Sequence, residues 1–109
     1  MMTLNEYQEL AMRTATEIRN YRSMLQYSCI GLAGEVGELC NSIKKMFYHG
    51  HDYSNAELVE ELGDILWYVS YTAWTLGMDL DEVAAINIAK LRRRYPDGFS
   101  SERSRNHED

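Results

Sequence analysis

Four acids stand in two pairs of equal spacing: Glu35 and Glu38 within GLAGEVGELC, and Glu61 and Asp64 within ELVEELGDILWYV. In an α-helix, residues three apart differ by only about 60° around the axis, so each pair projects from nearly one side. Leu32, Val36, Leu39, Ile43 and Met46 border the first pair, and Leu58, Leu62, Ile65, Leu66 and Val69 border the second. Packing the two stripes together would bring four carboxylates into one cleft at the rim of a core. Burial and mutual repulsion both oppose such a cluster unless a counter-charge is present. A divalent cation resolves the conflict. Magnesium, or manganese in its place, takes hard oxygen ligands and keeps positions for water and substrate phosphates, which suits a metal-nucleotide complex.

A single acid pair at this spacing is usually the solvated face of an amphipathic helix. Two pairs on successive helices, the first set among Gly31, Gly34 and Gly37, argue for a site. Glycine weakens a helix interior by about 1 kcal/mol relative to alanine, so the three invite a reason. Gly31 is expected to leave open space over the acids, and Gly34, Gly37 and Gly63 to let a neighbouring helix approach. Di-iron bundles require Glu three residues before His, and no histidine here has one.

The elements that must position these groups follow from start and stop signals. Thr3 with Glu6 is a capping-box pattern opening a first helix to about residue 20, and a break at 21–23 precedes a second helix over about 24–49, closed by Gly50. Ser54 with Glu57 opens a third helix that reaches Leu76 and stops at Gly77, while Asp79 with Glu82 opens a fourth, ending near Arg94 before Tyr95 and Pro96. No strand is needed. The expected fold is all-α: a four-helix bundle in one domain, residues 1–95, followed by a polar tail, 96–109, that is disordered or laid on a neighbouring subunit. The tail's Arg103 and Arg105 read as solvated surface.

At 109 residues, with 45% hydrophobic and 26% charged residues, a lone domain covers only about 60–70% of its unfolded surface. Long helices with wide apolar stripes would be covered better in a homo-oligomer, a dimer or a tetramer. The formal net charge of −6 disfavours nucleic acid, membrane surfaces and bare anions, so a phosphate substrate needs a cation. No stretch of about 20 apolar residues and no signal-like start occurs, which points to the cytoplasm. Cys29 and Cys40, about 16 Å apart along one helix, are too distant for a disulfide and are expected to be buried. His49, His51 and His107 follow no zinc-ligand spacing.

GLAGEVGEL, ELVEELGDILWYV and NIAKLRRRYPDGF together resemble the MazG-like members of the all-alpha nucleoside triphosphate pyrophosphohydrolases, over about residues 31–99. That family's ExxE and ExxD pairs correspond to Glu35, Glu38, Glu61 and Asp64. The resemblance implies magnesium-dependent hydrolysis of a nucleoside triphosphate between its α and β phosphates, by helical dimers or dimers of dimers. It also implies that Asn87 and Lys90 face the substrate, with Arg94, Tyr95 and Pro96 matching the stretch that follows.

Independently of the resemblance, Asn87, Lys90 and Arg94 recur at three- and four-residue steps and share one helix face, suited to phosphate. Lys45, two turns beyond Glu38, is either another phosphate contact or a surface lysine; Arg92 and Arg93 point elsewhere. Glu35 and Glu38 are the expected catalytic acids, with Glu38 accepting the proton of the attacking water and all four acids as metal ligands. Tyr68 is the expected nucleotide contact, with Trp67 and Tyr71 as further stacking surfaces or as core. Two other readings stay open: a non-enzymatic, metal-binding helical module, and a phosphohydrolase acting on a phosphoribosyl pyrophosphate type of substrate.

Overall fold

The computed structural model describes residues 1–106, so His107 and the end of the polar tail lie outside the described residues. Five helices follow one another: α1 (Leu4–Met12), α2 (Tyr21–Tyr48), α3 (Asn55–Thr75), α4 (Leu80–Arg94) and α5 (Ser101–Asn106). Among the described residues there is no strand, and no helix is long and apolar enough to cross a membrane. The fold is all-α.

Side chains set most of the boundaries. Thr3, Ser54 and Asp79 each close a full capping box, with Glu6, Glu57 and Glu82 returning to the cap backbone. Gly50 and Gly77 take φ values of 69° and 75° just past α2 and α3, a conformation that other residues adopt at a cost. α4 ends at Arg94, ahead of Pro96, as its sequence indicates.

The first junction differs from the expected one. α1 stops at Met12 instead of near residue 20, and the break spans 13–20 instead of 21–23. Two side chains divert the chain: the Thr14 hydroxyl donates to the Ala11 carbonyl at 2.7 Å, and the Trp67 indole N–H donates to that carbonyl at 3.2 Å and to Thr14 Oγ1 at 2.9 Å. Asn20, read as the end of the first helix, is instead the N-cap of α2, its Oδ1 accepting from the Ser23 amide at 3.0 Å. α2 therefore starts at Tyr21 and, with 28 residues, is about 42 Å long.

Pairings between α2 and α3 fix their relation. Tyr27 lies against Tyr71, Gly31 against Tyr68 and Ser42 against Glu61, so rising numbers on one helix meet falling numbers on the other. The two form an antiparallel hairpin across the loop at 49–54. α1 lies on α3 and α4, where Gln8 is a buried clamp: its Nε2 donates to the carbonyls of Ser70 and Met78, each at 3.2 Å, and its Oε1 accepts from the Leu80 amide at 3.1 Å.

The apolar residues are only partly where helix amphipathicity places them. The buried apolar set is small, namely Ala11, Tyr71, Ala73 and Leu80. Val36, Ile43, Leu62 and Leu66 from the two expected stripes are exposed, as are Ile30 (73%), Phe47 (75%), Val59 and Ile86. Leu32, Leu39, Met46, Leu58, Ile65 and Val69 are half-buried, so the stripes are covered only in part within the chain. Contacts across the α2–α3 seam are made by the rings of Tyr27, Tyr68 and Tyr71 and by buried Ser42 on Glu61. Cys29 and Cys40 are free and exposed, against the expectation of burial, because they lie on the side of α2 that nothing in the chain covers.

Candidate functional site

The hairpin register carries both acid pairs into that seam. Glu35 and Glu61 are half-buried, while Glu38 and Asp64 lie at its exposed edge. The Glu35 carboxyl is held above its usual value of 4.5, first by burial and then by the negative charges of Glu38, Asp64 and Glu61, with a hydrogen bond to Glu38 adding to the effect. Glu35 therefore feels the charge of the other three acids.

Two oxygens in the seam test whether a cation suits it. Glu35 Oε2 and Glu61 Oε2 are buried and accept no hydrogen bond. A buried anionic oxygen without a partner is costly, and an electrophile that binds oxygen removes that cost. Among the described residues no three His, Cys, Asp or Glu side chains stand close enough together to hold a metal ion as they are, so the case for a cation rests on the chemistry of the donors. Hard oxygen donors with open positions are what a magnesium or manganese ion takes, so the donor set fits such an ion.

Beside the acids opens a cavity of about 350 Å³ lined by Thr14, Thr16, Tyr27, Glu35, Asp64, Trp67 and Tyr68. Two carboxylates, two threonines and three aromatic rings thus share one lining. Trp67 meets Tyr68 edge-on at 4.9 Å and 79°, and Tyr27 lies 6.0 Å from Tyr68. The Tyr68 phenol titrates above its usual range, because of a hydrogen bond with Tyr27 first, then burial, then the charges of Tyr27, Glu35 and Asp64. Tyr7 on α1 also faces Asp64, and burial followed by that charge raises its phenol. Both phenols stay neutral donors at physiological pH.

Gly31 is explained differently from its sequence reading. It does not hold open space over the acids: a Cβ there would run into Cε1 and Cζ of Tyr68 and stand 2.7 Å from Cδ1. The glycine seats the Tyr68 ring against α2. Gly34, Gly37 and Gly63 have nothing within 4 Å of an added Cβ, so no helix of this chain uses the approach they allow.

The remaining residues singled out in the sequence lie elsewhere. Tyr71 is fully buried beneath the cavity, 5.5 Å from Trp67 and 5.6 Å from Tyr27, so its ring supports the aromatic wall and is not presented to a ligand. Lys45 is half-buried on α2, one turn beyond Ser42 and outside the cavity lining. Asn87 is exposed, and Lys90 and Arg94 are half-buried, on α4, which contributes no lining residue. Conversely, Thr14, Thr16, Tyr27 and Ser42 belong to the site region and were not singled out. Ser42, two turns past Glu35, carried a usable signal, whereas the threonines sit in a segment whose path depends on Trp67.

A helical hairpin that carries two acid pairs, one acid of each half-buried, beside an aromatic pocket defines a protein of the all-α nucleotide-hydrolase type. A family model described as "MazG nucleotide pyrophosphohydrolase domain" matches residues 19–99, most of the chain, and the protein belongs to that family. Members usually use a divalent metal. The chain is also 37% identical over 78 residues, 68% of its own length and 68% of the relative's, to the "Gene 37 protein" of Mycobacterium phage L5. No solved structure matches it.

Proposed function

We propose that the protein is a magnesium-dependent nucleoside triphosphate pyrophosphohydrolase, cleaving between the α and β phosphates to give the monophosphate and pyrophosphate, in a cytoplasmic nucleotide-pool role. The observation that carries this reading is that Glu35 and Asp64 line one cavity together with Tyr27, Trp67 and Tyr68. Glu35, Glu38, Glu61 and Asp64 are the residues that would hold the ion. When bound, the ion supplies neutralisation of triphosphate charge, a lowered water pKa and stabilisation of charge developing on the phosphoryl oxygens.

The chain's own residues supply the rest. Glu38 is the residue assigned to take the proton of the attacking water, and its exposure supports that role. Tyr68 and Trp67 present aromatic surface and edge to the base and set the distance between base and acids, which is an orienting effect. Lys45, Asn87, Lys90 and Arg94 are the cations and amide proposed for phosphate contact. Because they lie outside this chain's cavity, the proposal includes a homodimer or tetramer in which α4 of a neighbouring copy completes the site. The uncovered apolar residues Ile30, Phe47, Val59, Leu62 and Ile86 support that assembly. In the same assembly the polar tail from residue 96, with its exposed Phe99, lies on the neighbouring subunit.

Pyrophosphate release from a broad nucleoside triphosphate panel with Mg²⁺ or Mn²⁺ tests the proposal, and Glu38→Gln should abolish turnover while helix content is unchanged. A folded wild type inactive on every triphosphate but active on phosphoribosyl pyrophosphate compounds would move the substrate class, and inactivity on both would favour a binding module. Wild-type pyrophosphate release by Glu38→Gln would remove Glu38 from its role.

A further inference from the structure

Ser28 and Ser42 are both buried on the face of α2 that meets α3, yet their hydroxyls do different things. Ser28 donates to the Leu25 carbonyl of its own helix at 3.0 Å, the ordinary local bond of a helical serine. Ser42 crosses the seam and donates to Glu61 Oε1 at 2.7 Å. A hydroxyl donating to a carboxylate at this distance forms a short, charge-assisted bond, about twice as strong as a neutral one.

The bond leaves Glu61 divided between its oxygens. Oε1 is held by Ser42, whereas Oε2 is buried and accepts nothing from the protein. Free rotation about the last side-chain bond would exchange the two oxygens, and the Ser42 bond opposes that exchange. The neighbouring Glu35 likewise has a buried oxygen without a partner. The two acids therefore differ in how they are held: a serine fixes one, while mutual repulsion and burial act on the other.

We infer that Ser42 is a positioning residue for the acid site, locking the Glu61 carboxylate so that Oε2 is presented to a divalent cation. The inference rests on the proposal that the four acids hold such an ion. Groups that hydrogen-bond a metal ligand from behind orient it, and losing one lowers metal affinity by about 10- to 100-fold. Ser42 fits that description because it is buried, reaches Glu61 from the opposite helix and lies outside the cavity lining.

The test titrates Mn²⁺ into metal-free, full-length protein and follows free Mn²⁺ by electron paramagnetic resonance. Wild type, Ser42→Ala, Glu61→Gln and the double variant form a cycle. Ser42→Ala should weaken Mn²⁺ binding at least tenfold in the wild-type background, and add nothing further once Glu61 is Gln. A structural role at the seam would not give that dependence on Glu61. Wild-type affinity in Ser42→Ala, or the same fold-loss in both backgrounds, overturns the assignment. If Ser42→Ala does not fold, Ser42→Cys keeps the volume with a weaker donor, and unchanged Mn²⁺ affinity there overturns it equally. Failure of the wild type to bind Mn²⁺ overturns the metal reading and the Ser42 role with it, so the two failures are distinguishable.

Discussion

Gly31→Ala probes the closest contact between α2 and α3. On propensity alone the change should stabilise α2, by about 1 kcal/mol. The added Cβ, however, would run into Cε1 and Cζ of Tyr68 and stand 2.7 Å from Cδ1, so the ring must leave its seat. Trp67 at 4.9 Å and Tyr27 at 6.0 Å flank Tyr68, so the ring yields only towards the cavity it lines, and forcing a larger group into such packing costs about 1–3 kcal/mol. The net effect is a loss of about 0–2 kcal/mol. Gly63→Ala is the internal control, because nothing lies within 4 Å of its Cβ and only the propensity gain applies. The gap between the two variants is therefore about 1–3 kcal/mol, and each kcal/mol moves Tm by about 4–8 °C in a domain of this size. Thermal unfolding by circular dichroism reads that gap, and steady-state kinetics of Gly31→Ala should show a raised KM as Tyr68 shifts. A Gly31→Ala protein as stabilised as Gly63→Ala, with unchanged KM, would refute the reasoning.

Glu35 sets a pH dependence in the metal-free protein. Its raised carboxyl binds a proton more tightly folded than unfolded, so its contribution is favourable below about pH 4.5 and is lost as pH rises through the raised value; Glu35→Gln should flatten thermal stability across pH 4–7 in metal-free buffer. Gln8→Ala removes three bonds and leaves the Ser70 and Met78 carbonyls and the Leu80 amide without them, which should cost about 2–4 kcal/mol in denaturant unfolding.

The helix boundaries legible in the sequence are those that a short local pattern writes out. The capping boxes at Thr3, Ser54 and Asp79 and the glycines at 50 and 77 mark their ends through bonds within a few residues. The end of α1 was illegible because Trp67, 56 residues away from Ala11, helps to terminate it. Asn20 caps α2 without the Glu or Gln that completes a box, which hid that start. At the site, the acid pairs were readable because three-residue spacing survives any packing arrangement. What the acids face was not readable. Tyr27, Ser42 and the seat of Tyr68 on Gly31 depend on the register of two helices, which no local pattern specifies. Ordinary amphipathic logic held only in part for a related reason: it places Val36, Ile43 and Leu62 inward, whereas the hairpin half-buries Glu35 and Glu61 and leaves these three exposed.

That inversion links stability to chemistry. A seam holding Glu35 and Glu61 with two unpartnered carboxylate oxygens opposes its own closure, since each like charge raises the cost of ionising its neighbour. Hydrophobic burial within the chain offsets little of this, because among the described residues the fully buried apolar set is Ala11, Tyr71, Ala73 and Leu80. Under the proposed function both deficits have one remedy each: a cation satisfies the acids, and a second copy covers Ile30, Phe47 and Val59. The site then favours substrate that arrives with its charge neutralised. A bare triphosphate meets four carboxylates on a chain of net charge −6, whereas a metal-triphosphate complex brings the positive charge that the seam lacks. Under the proposed function, selection for the metal complex over the free nucleotide follows from the negative charge of the seam, before any contact with the base is made.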